Sequence, residues 1–333
     1  MNRKPKSLVV GRFVMDLIVS TAKFPDSDET VLGKSFRTEP GGKGANQAVQ
    51  AARLGADVTM VGKVGGDSFG RELIASAQAA GIHTQHILQD PDNPSAIGNI
   101  LLEVAEGQKS KNRIIVVSGA NMAITPDDVA FVRDIVSEFD MVMLQLEIPM
   151  QINELVAQYA FEKGVPVMLN SAPSAPLSAA LLSHLTYISP NEHEAADLTG
   201  IPIRKEGKSV NRDDLDAVIA SLRGKGVQNV IITLGSAGAV VAGDSGIDFS
   251  PCVDVVEVKD PTAAGDSFVG AFCTAVCAGL NQRQALDFAN YTATITVSQM
   301  GAQPSLPHLA DVIELMQREQ FDGFDLGLLD ILK

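Results

Sequence analysis

Between residues 141 and 235 short, almost wholly apolar runs alternate with longer amphipathic ones. "MVMLQLE" (141–147) is followed by "MQINELVAQYAFEKG" (150–164), and "VPVMLNSAP" (165–173) by "APLSAALLSHL" (175–185). "TYISPNEHEAADLTG" (186–200) runs from a strand end into a helix. "RDDLDAVIASLRGKG" (212–226) then leads into "VQNVIITLG" (227–235). Runs of four to eight apolar residues without polar alternation suit strands buried on both faces. Strands that are separated by helix-length segments pair in parallel, because each return crossover needs about a dozen residues. The pattern therefore predicts an α/β fold with a parallel sheet covered on both faces.

The same rhythm is present elsewhere, with interruptions. "SLVVGRFVMDLIVS" (7–20) reads as strand, glycine break, strand. "GGKGANQAVQAARLGA" (41–56) is a glycine-rich turn entering an Ala-rich helix, "DVTMVGKVG" (57–65) a strand, and "DSFGRELIASAQAAG" (67–81) a helix. "AGAVVAG" (237–243) and "VDVVEV" (253–258) read as short strands, and 264–280 and 282–300 as helices. The β-like pieces near 12–43 and 95–118, the second a hairpin joined by the polar loop "AEGQKSK", do not fit the alternation. They predict a small β-sheet lid over one edge of a single domain spanning 1–320. Residues 321–333 read as a C-terminal appendage.

Composition narrows the function. The net charge is −14 over 333 residues, and no basic stripe is evident, so nucleic acid is not expected as a partner. An anionic ligand would have to be held by local backbone donors. Three cysteines, Cys252, Cys273 and Cys277, form no CxxC pair and predict neither a disulfide framework nor a zinc site. No run of about 18 apolar residues occurs, so no membrane span is expected. The basic N-terminus lacks a signal-peptide core, and the cytoplasm is the expected location.

Phosphate-binding patterns are the first to weigh. "GKS" occurs at 33–35 and 207–209, but neither copy carries the earlier glycine of a P-loop. "KDPTAAGDSFVGAF" (259–272) offers another solution. Ala263, Ala264 and Gly265 lack bulk and stand at a predicted helix start, where free N–H groups and the helix dipole favour an anion. Asp266 in the first turn is then either an ordinary helix-start acid or a base beside an anion hole. "GGKGANQ" is a second glycine-rich helix start, where Lys43 and Asn46 could bond a polyol or could simply be solvated. Asn191 and Glu194 of "SPNEHEA" share a helical face, which suits either a hydrated Mg²⁺ or a plain helix N-terminus. "IITLGSAGAV" (231–240) leaves a strand through a Gly/Ser turn of the kind that binds ligands at the ends of parallel strands.

Taken together these motifs resemble the ribokinase-like (PfkB) family of carbohydrate kinases. "GGKGANQAVQAARLGADVTMVGKVGGDSFG" is similar to its first signature and "DPTAAGDSFVGAF" to its second, with "GANMAITP", "LQLE", "LNSAP", "PNEHEA", "ITLGSAG" and "GAQPSLP" in order. The resemblance implies a three-layer α/β/α sandwich with a β lid, and ATP-dependent phosphorylation of a sugar's primary hydroxyl, O5 of ribose. It implies Asp266 as base and the amides of Ala263, Ala264, Gly265 and Asp266 as the anion hole. Val14, Asp16, Gly42, Lys43, Asn46 and Glu147 match sugar positions. Asn191 and Glu194 match those that organise Mg²⁺ and phosphate. Thr233, Gly235, Ser236, Gly238 and Asn290 match the nucleotide site. Asp260, Thr262, Thr296, Gln299, Gly301 and Ser305 match the ligands of a monovalent cation, usually K⁺, mostly through carbonyls. A homodimer paired through the lid is also implied.

Two positions depart from the pattern. Val14 stands where some members carry a sugar-binding Asn, and a lost hydrogen bond would favour a sugar lacking a hydroxyl, such as 2-deoxyribose. Pro261 replaces a Thr and removes one N–H. A ketose kinase, a nucleoside kinase and a catalytically silent sugar sensor are the alternatives. A 5% aromatic content without Trp offers few stacking partners to a nucleoside.

Overall fold

The structure is a computed structural model describing residues 3–104 and 111–333. Its strands, in chain order, are β1 (Lys6–Val10), β2 (Val14–Thr21), β3 (Gly33–Gly41), β4 (Asp57–Gly65), β5 (His83–Asp90), β6 (Ile97–Glu103), β7 (Lys111–Val117) and β8 (Met141–Gln145). They continue as β9 (Val167–Asn170), β10 (Tyr187–Ile188), β11 (Lys205–Glu206), β12 (Ser209–Val210), β13 (Asn229–Thr233), β14 (Ala239–Gly243) and β15 (Gly246–Ser250). Nine of them form one sheet in the order β15-β14-β13-β10-β9-β8-β1-β4-β5. Every pair from β13 to β5 is parallel, while β14 and β15 run antiparallel at one edge.

The side-chain alternation of the central strands builds the three layers. Met141 and Met143 of β8 face one core and Val142 and Leu144 the other, while Val9 of β1 is set against Leu8 and Val10. The first core is closed by the helices Lys43–Arg53, Ser68–Ala79, Ala264–Cys277, Gln282–Val297 and Leu309–Arg318. The second is closed by Met150–Glu162, Ala179–His184, Glu192–Thr199 and Arg212–Gly224. Because both faces are covered, both side-chain sets must be apolar, which accounts for the uninterrupted apolar strands.

The pieces outside the alternation pair as a separate four-stranded sheet, β3-β2-β6-β7. β2 and β6 are parallel and the outer pairs antiparallel. Of the connecting loop expected at 105–111, residues 105–110 lie outside the described residues.

The elements differ from the sequence reading at several points. Residues 253–258, expected as a strand, join no ladder; the partner position beside β14 is taken by Gly246–Ser250, which returns through a tight turn. β5 was not expected, because "HTQHILQD" at the sheet edge keeps polar residues on its exposed face. The helix Leu309–Arg318 also went unread, and the predicted helix 175–185 is only Ala179–His184. Residues 321–333, read as an appendage, pack inward: Leu329 and Leu332 are buried in the first core, and Phe321 stacks edge-on against Tyr291. Among the described residues no helix is long and apolar enough to cross a membrane.

Candidate active site

Parallel strands end together, and the chain leaves β1, β8, β9, β10 and β13 at one rim of the sheet. The helix Lys43–Arg53 starts at this rim. Gly42 precedes it at φ 97°, and a Cβ there would stand 2.6 Å from Arg12 O, so the position is closed to larger residues. The helix has no side-chain cap of its own. Glu147, leaving β8, supplies one: its Oε2 accepts from Lys43 N at 2.9 Å, and its Oε1 accepts from Arg12 Nη1 at 3.1 Å. A carboxylate at a helix N-terminus is stabilised by the free N–H groups and the dipole.

Asp266 lies 5% exposed in the first turn of Ala264–Cys277. Asn46 Nδ2 donates to its Oδ2 at 2.9 Å and Gln47 Nε2 to its Oδ1 at 3.1 Å. Gln47 also donates to Asn170 Oδ1 at 3.2 Å and accepts from Gln145 Nε2 at 2.7 Å. Asn170 Nδ2 donates to Ser189 O at 2.8 Å. The ends of β8, β9 and β10 thus fix the amides that hold the carboxylate of Asp266.

Ala263 adopts the left-handed conformation at φ 60°, uncommon for a residue with a Cβ. The N–H groups of Ala263, Gly265 and Asp266 have no partner among the described residues, whereas that of Ala264 donates to Pro261 O at 3.2 Å. The expected four-amide anion hole is therefore three free amides and one engaged in a turn. A cavity of about 200 Å³ opens in front of them. It is lined by Lys43, Asn170, Ala172, Ser189, Asn191, Glu194, Thr233, Pro261, Ala263, Gly265, Asp266 and Val269. Burial pulls the Lys43 ammonium down, but the carboxylates of Asp266, Glu147 and Glu194 outweigh it and hold its pKa above the ordinary value. A fixed cation thus faces an amide cluster and a carboxylate.

Asn191 and Glu194 form a reciprocal capping box. Asn191 Oδ1 accepts from the N–H groups of His193 and Glu194, and Glu194 Oε2 accepts from Asn191 N. Of the alternatives left open by their spacing, the helix N-terminus is present, and Glu194 also lines the cavity. Burial raises its pKa, opposed by the Asn191 N–H and by Lys43. Thr233 lines the same cavity and bridges to Asn191. Gly235, Ser236 and Gly238 form the turn after β13. Asn290 lies apart: its Nδ2 donates to Ser250 O, Ser250 Oγ and Pro251 O, and so ties down the chain after β15.

Asp16 projects from β2. Gly98 of β6 faces it, and a Cβ there would overlap Asp16 Oδ1. Burial first, then Glu39, raises the Asp16 pKa to about 6. Val14 is buried in the same strand. Asp260 Oδ1 accepts from Thr262 N at 2.9 Å and Thr262 Oγ1 at 2.6 Å, and Oδ2 from Gly301 N at 3.0 Å. Against burial, these bonds hold its pKa below the ordinary carboxylate value. Gln299 N donates to Thr296 O at 3.2 Å, while the hydroxyls of Thr296 and Ser305 turn inward to Ser267 Oγ and Ala302 O.

Sequence reasoning passed over Gln47, Asn170, Gln145 and Arg12. Their signal was present: Gln47 is a fully buried amide in an Ala-rich helix, and Gln145 and Asn170 end otherwise apolar strands. Arg12 is a single buried charge between two apolar runs.

Comparison with known proteins follows the same lines. Residues 4–309 match the pfkB family carbohydrate kinase profile. The chain is 39% identical over 308 residues to a ribokinase of Bacillus subtilis, covering 92% of this chain and 98% of that one. It is 36% identical over 315 residues to a ribokinase of Schizosaccharomyces pombe, covering 92% and 96%. Among solved structures, Arabidopsis thaliana ribokinase complexed with ribose and ATP superposes with a TM-score of 0.84 at 31% identity, covering 95% of this chain and 99% of that one.

Proposed function

The chain belongs to the pfkB family of carbohydrate kinases, and from that premise we propose that it transfers the γ-phosphoryl group of ATP to O5 of D-ribose, giving ribose 5-phosphate. The observation that carries this reading is Asp266, buried beside free helix-start amides and sharing one cavity with Lys43.

The sugar is held by Asp16, Asn46, Glu147 and the backbone at Gly42, with the four-stranded sheet acting as a lid that excludes water. Asp266 takes the proton from O5–H as oxygen attacks phosphorus. Asn46 and Gln47 keep its carboxylate aimed at the incoming hydroxyl. The N–H groups of Ala263, Gly265 and Asp266, with Lys43, stabilise the charge on the phosphoryl oxygens. The nucleotide lies along Thr233 and the Gly235–Gly238 turn.

The residues fit two cations. Glu194 lines the cavity and its Oε1 has no hydrogen-bond partner among the described residues, which suits a water carried by Mg²⁺. Asp260, held anionic, is a negative charge beside the carbonyl-rich 296–305 loop, which suits K⁺. When bound, both would supply positive charge near the phosphates. Dimerisation through the lid is supported by β7, an open edge whose Ile114, Ile115 and Val116 are exposed on both faces of the sheet, and by exposed Phe36.

A coupled ADP-release assay over ribose, 2-deoxyribose, ketoses, hexoses and nucleosides tests the reading. Ribose is expected to give the highest kcat/KM. A sugar sensor would bind ribose and release no ADP, and preference for another acceptor would displace ribose from the assignment.

A further inference from the structure

Asp16 and Glu39 stand directly opposite each other in the antiparallel β2–β3 pair, so both carboxylates leave the same face of the lid. Like charges in that arrangement destabilise a sheet. Arg37, two residues along β3, offsets part of the repulsion: its Nε donates to Glu39 Oε1 at 2.5 Å. The Glu39 side chain is only 14% exposed. Its other side rests on the body of the protein, because a Cβ on Gly301 would stand 2.5 Å from Glu39 Oε2. Gly301 N in turn donates to Asp260 Oδ2. One lid carboxylate therefore touches the body loop while it faces the carboxylate read as a sugar ligand.

We propose that Glu39 is a positioning residue for the acceptor: it seats the lid on the Gly301 loop and, from opposite Asp16, sets the pH range over which Asp16 engages the sugar. The proposal rests on the reading of Asp16 as a sugar ligand. The charged groups facing Asp16 are Glu39 from β3, Arg12 from the β1–β2 turn and Glu147 from the end of β8. Burial does most to raise Asp16, Glu39 and then Glu147 add to it, and Arg12 opposes them. An ionised Asp16 accepts charge-assisted hydrogen bonds on both oxygens, whereas protonation turns one oxygen into a donor and weakens the other as an acceptor. Ribose affinity accordingly falls as pH drops through about 6.

Calorimetric titration of the full chain with D-ribose between pH 5 and 8 separates the two roles. Glu39→Gln keeps the shape and the bond from Arg37 but removes the charge. Its acid limb is expected at lower pH, so that it binds ribose about two- to fivefold tighter than the parent at pH 5, with affinity near pH 7.5 unchanged. Glu39→Ala removes the seat; its ribose KM is expected to rise about three- to tenfold with kcat within twofold. Asp16→Asn is the control and should abolish both the limb and most of the affinity. An acid limb identical in parent and Glu39→Gln, with Asp16→Asn still defective, overturns the role of Glu39. Full ribose affinity in Asp16→Asn removes the sugar-site reading and the proposal with it.

Discussion

Replacing Asp266 by Asn keeps the volume of the side chain while removing its basicity. The structure gives two consequences. The carboxylate accepts from Asn46 Nδ2 and Gln47 Nε2, one on each oxygen. An amide has one acceptor oxygen, so its NH₂ group must face one of those donors and one buried hydrogen bond is lost. That costs about 1–3 kcal/mol of stability, enough to lower the melting temperature without unfolding a protein of this size. The chemical consequence is separate. Loss of a positioned general base slows the step by about 10²–10⁴, a rise of about 2.7–5.5 kcal/mol in the barrier. Lys43 and the free amides are untouched, so phosphate binding should persist. The assay is coupled ADP release at saturating ATP and ribose, with ribose affinity measured by calorimetry in parallel. The expected result is a kcat lower by that factor with ribose affinity within about threefold. A kcat within tenfold of the parent would refute the role of Asp266 as base. A matched loss of affinity and rate would make it a binding group only.

Other expected outcomes follow from the same geometry. Gly98→Ala should raise the ribose KM by tenfold or more with little change in the ATP KM, because its methyl group overlaps Asp16 Oδ1; an unchanged ribose KM in steady-state assays would move the sugar away from Asp16. K⁺ should stimulate turnover relative to Na⁺ or Tris, and equal rates in all three would count against the Asp260 cation site. Leu332→Ala should cost about 2–5 kcal/mol in urea denaturation, since Leu332 is 2% exposed; a cost under 0.5 kcal/mol would show that the C-terminal turn contributes no packing.

Much of the sheet could be read because a strand covered on both faces cannot hide its apolar character. What was missed lies where that constraint lapses. β5 sits at an edge with one face wet, so His83, Gln85 and Gln89 obscured it. β15 was passed over for "VDVVEV", whose alternation is as good but which pairs with no strand, whereas Gly246–Ser250 follows β14 closely enough to return beside it. The tail carries no helix- or strand-length periodicity, although Leu329 and Leu332, with Phe321 and Phe324 packed beside them, are enough to dock it. In the site, the glycine-rich helix starts were legible because close backbone approach leaves few residue types possible. The amide chain Gln145–Gln47–Asn170 was not, because its members come from separate strands and a helix and meet only in three dimensions. Asn290 matches a nucleotide position by sequence, and its amide nitrogen donates to Ser250 O, Ser250 Oγ and Pro251 O.

The central claim concerns where the phosphoryl group goes. ³¹P NMR of the product formed from ATP and [5-¹³C]-ribose tests it directly. A single phosphomonoester showing phosphorus–carbon coupling to the labelled C5, formed in step with ADP, is the predicted result. A phosphoryl group on the anomeric oxygen, or ADP and inorganic phosphate without a sugar ester, would contradict it.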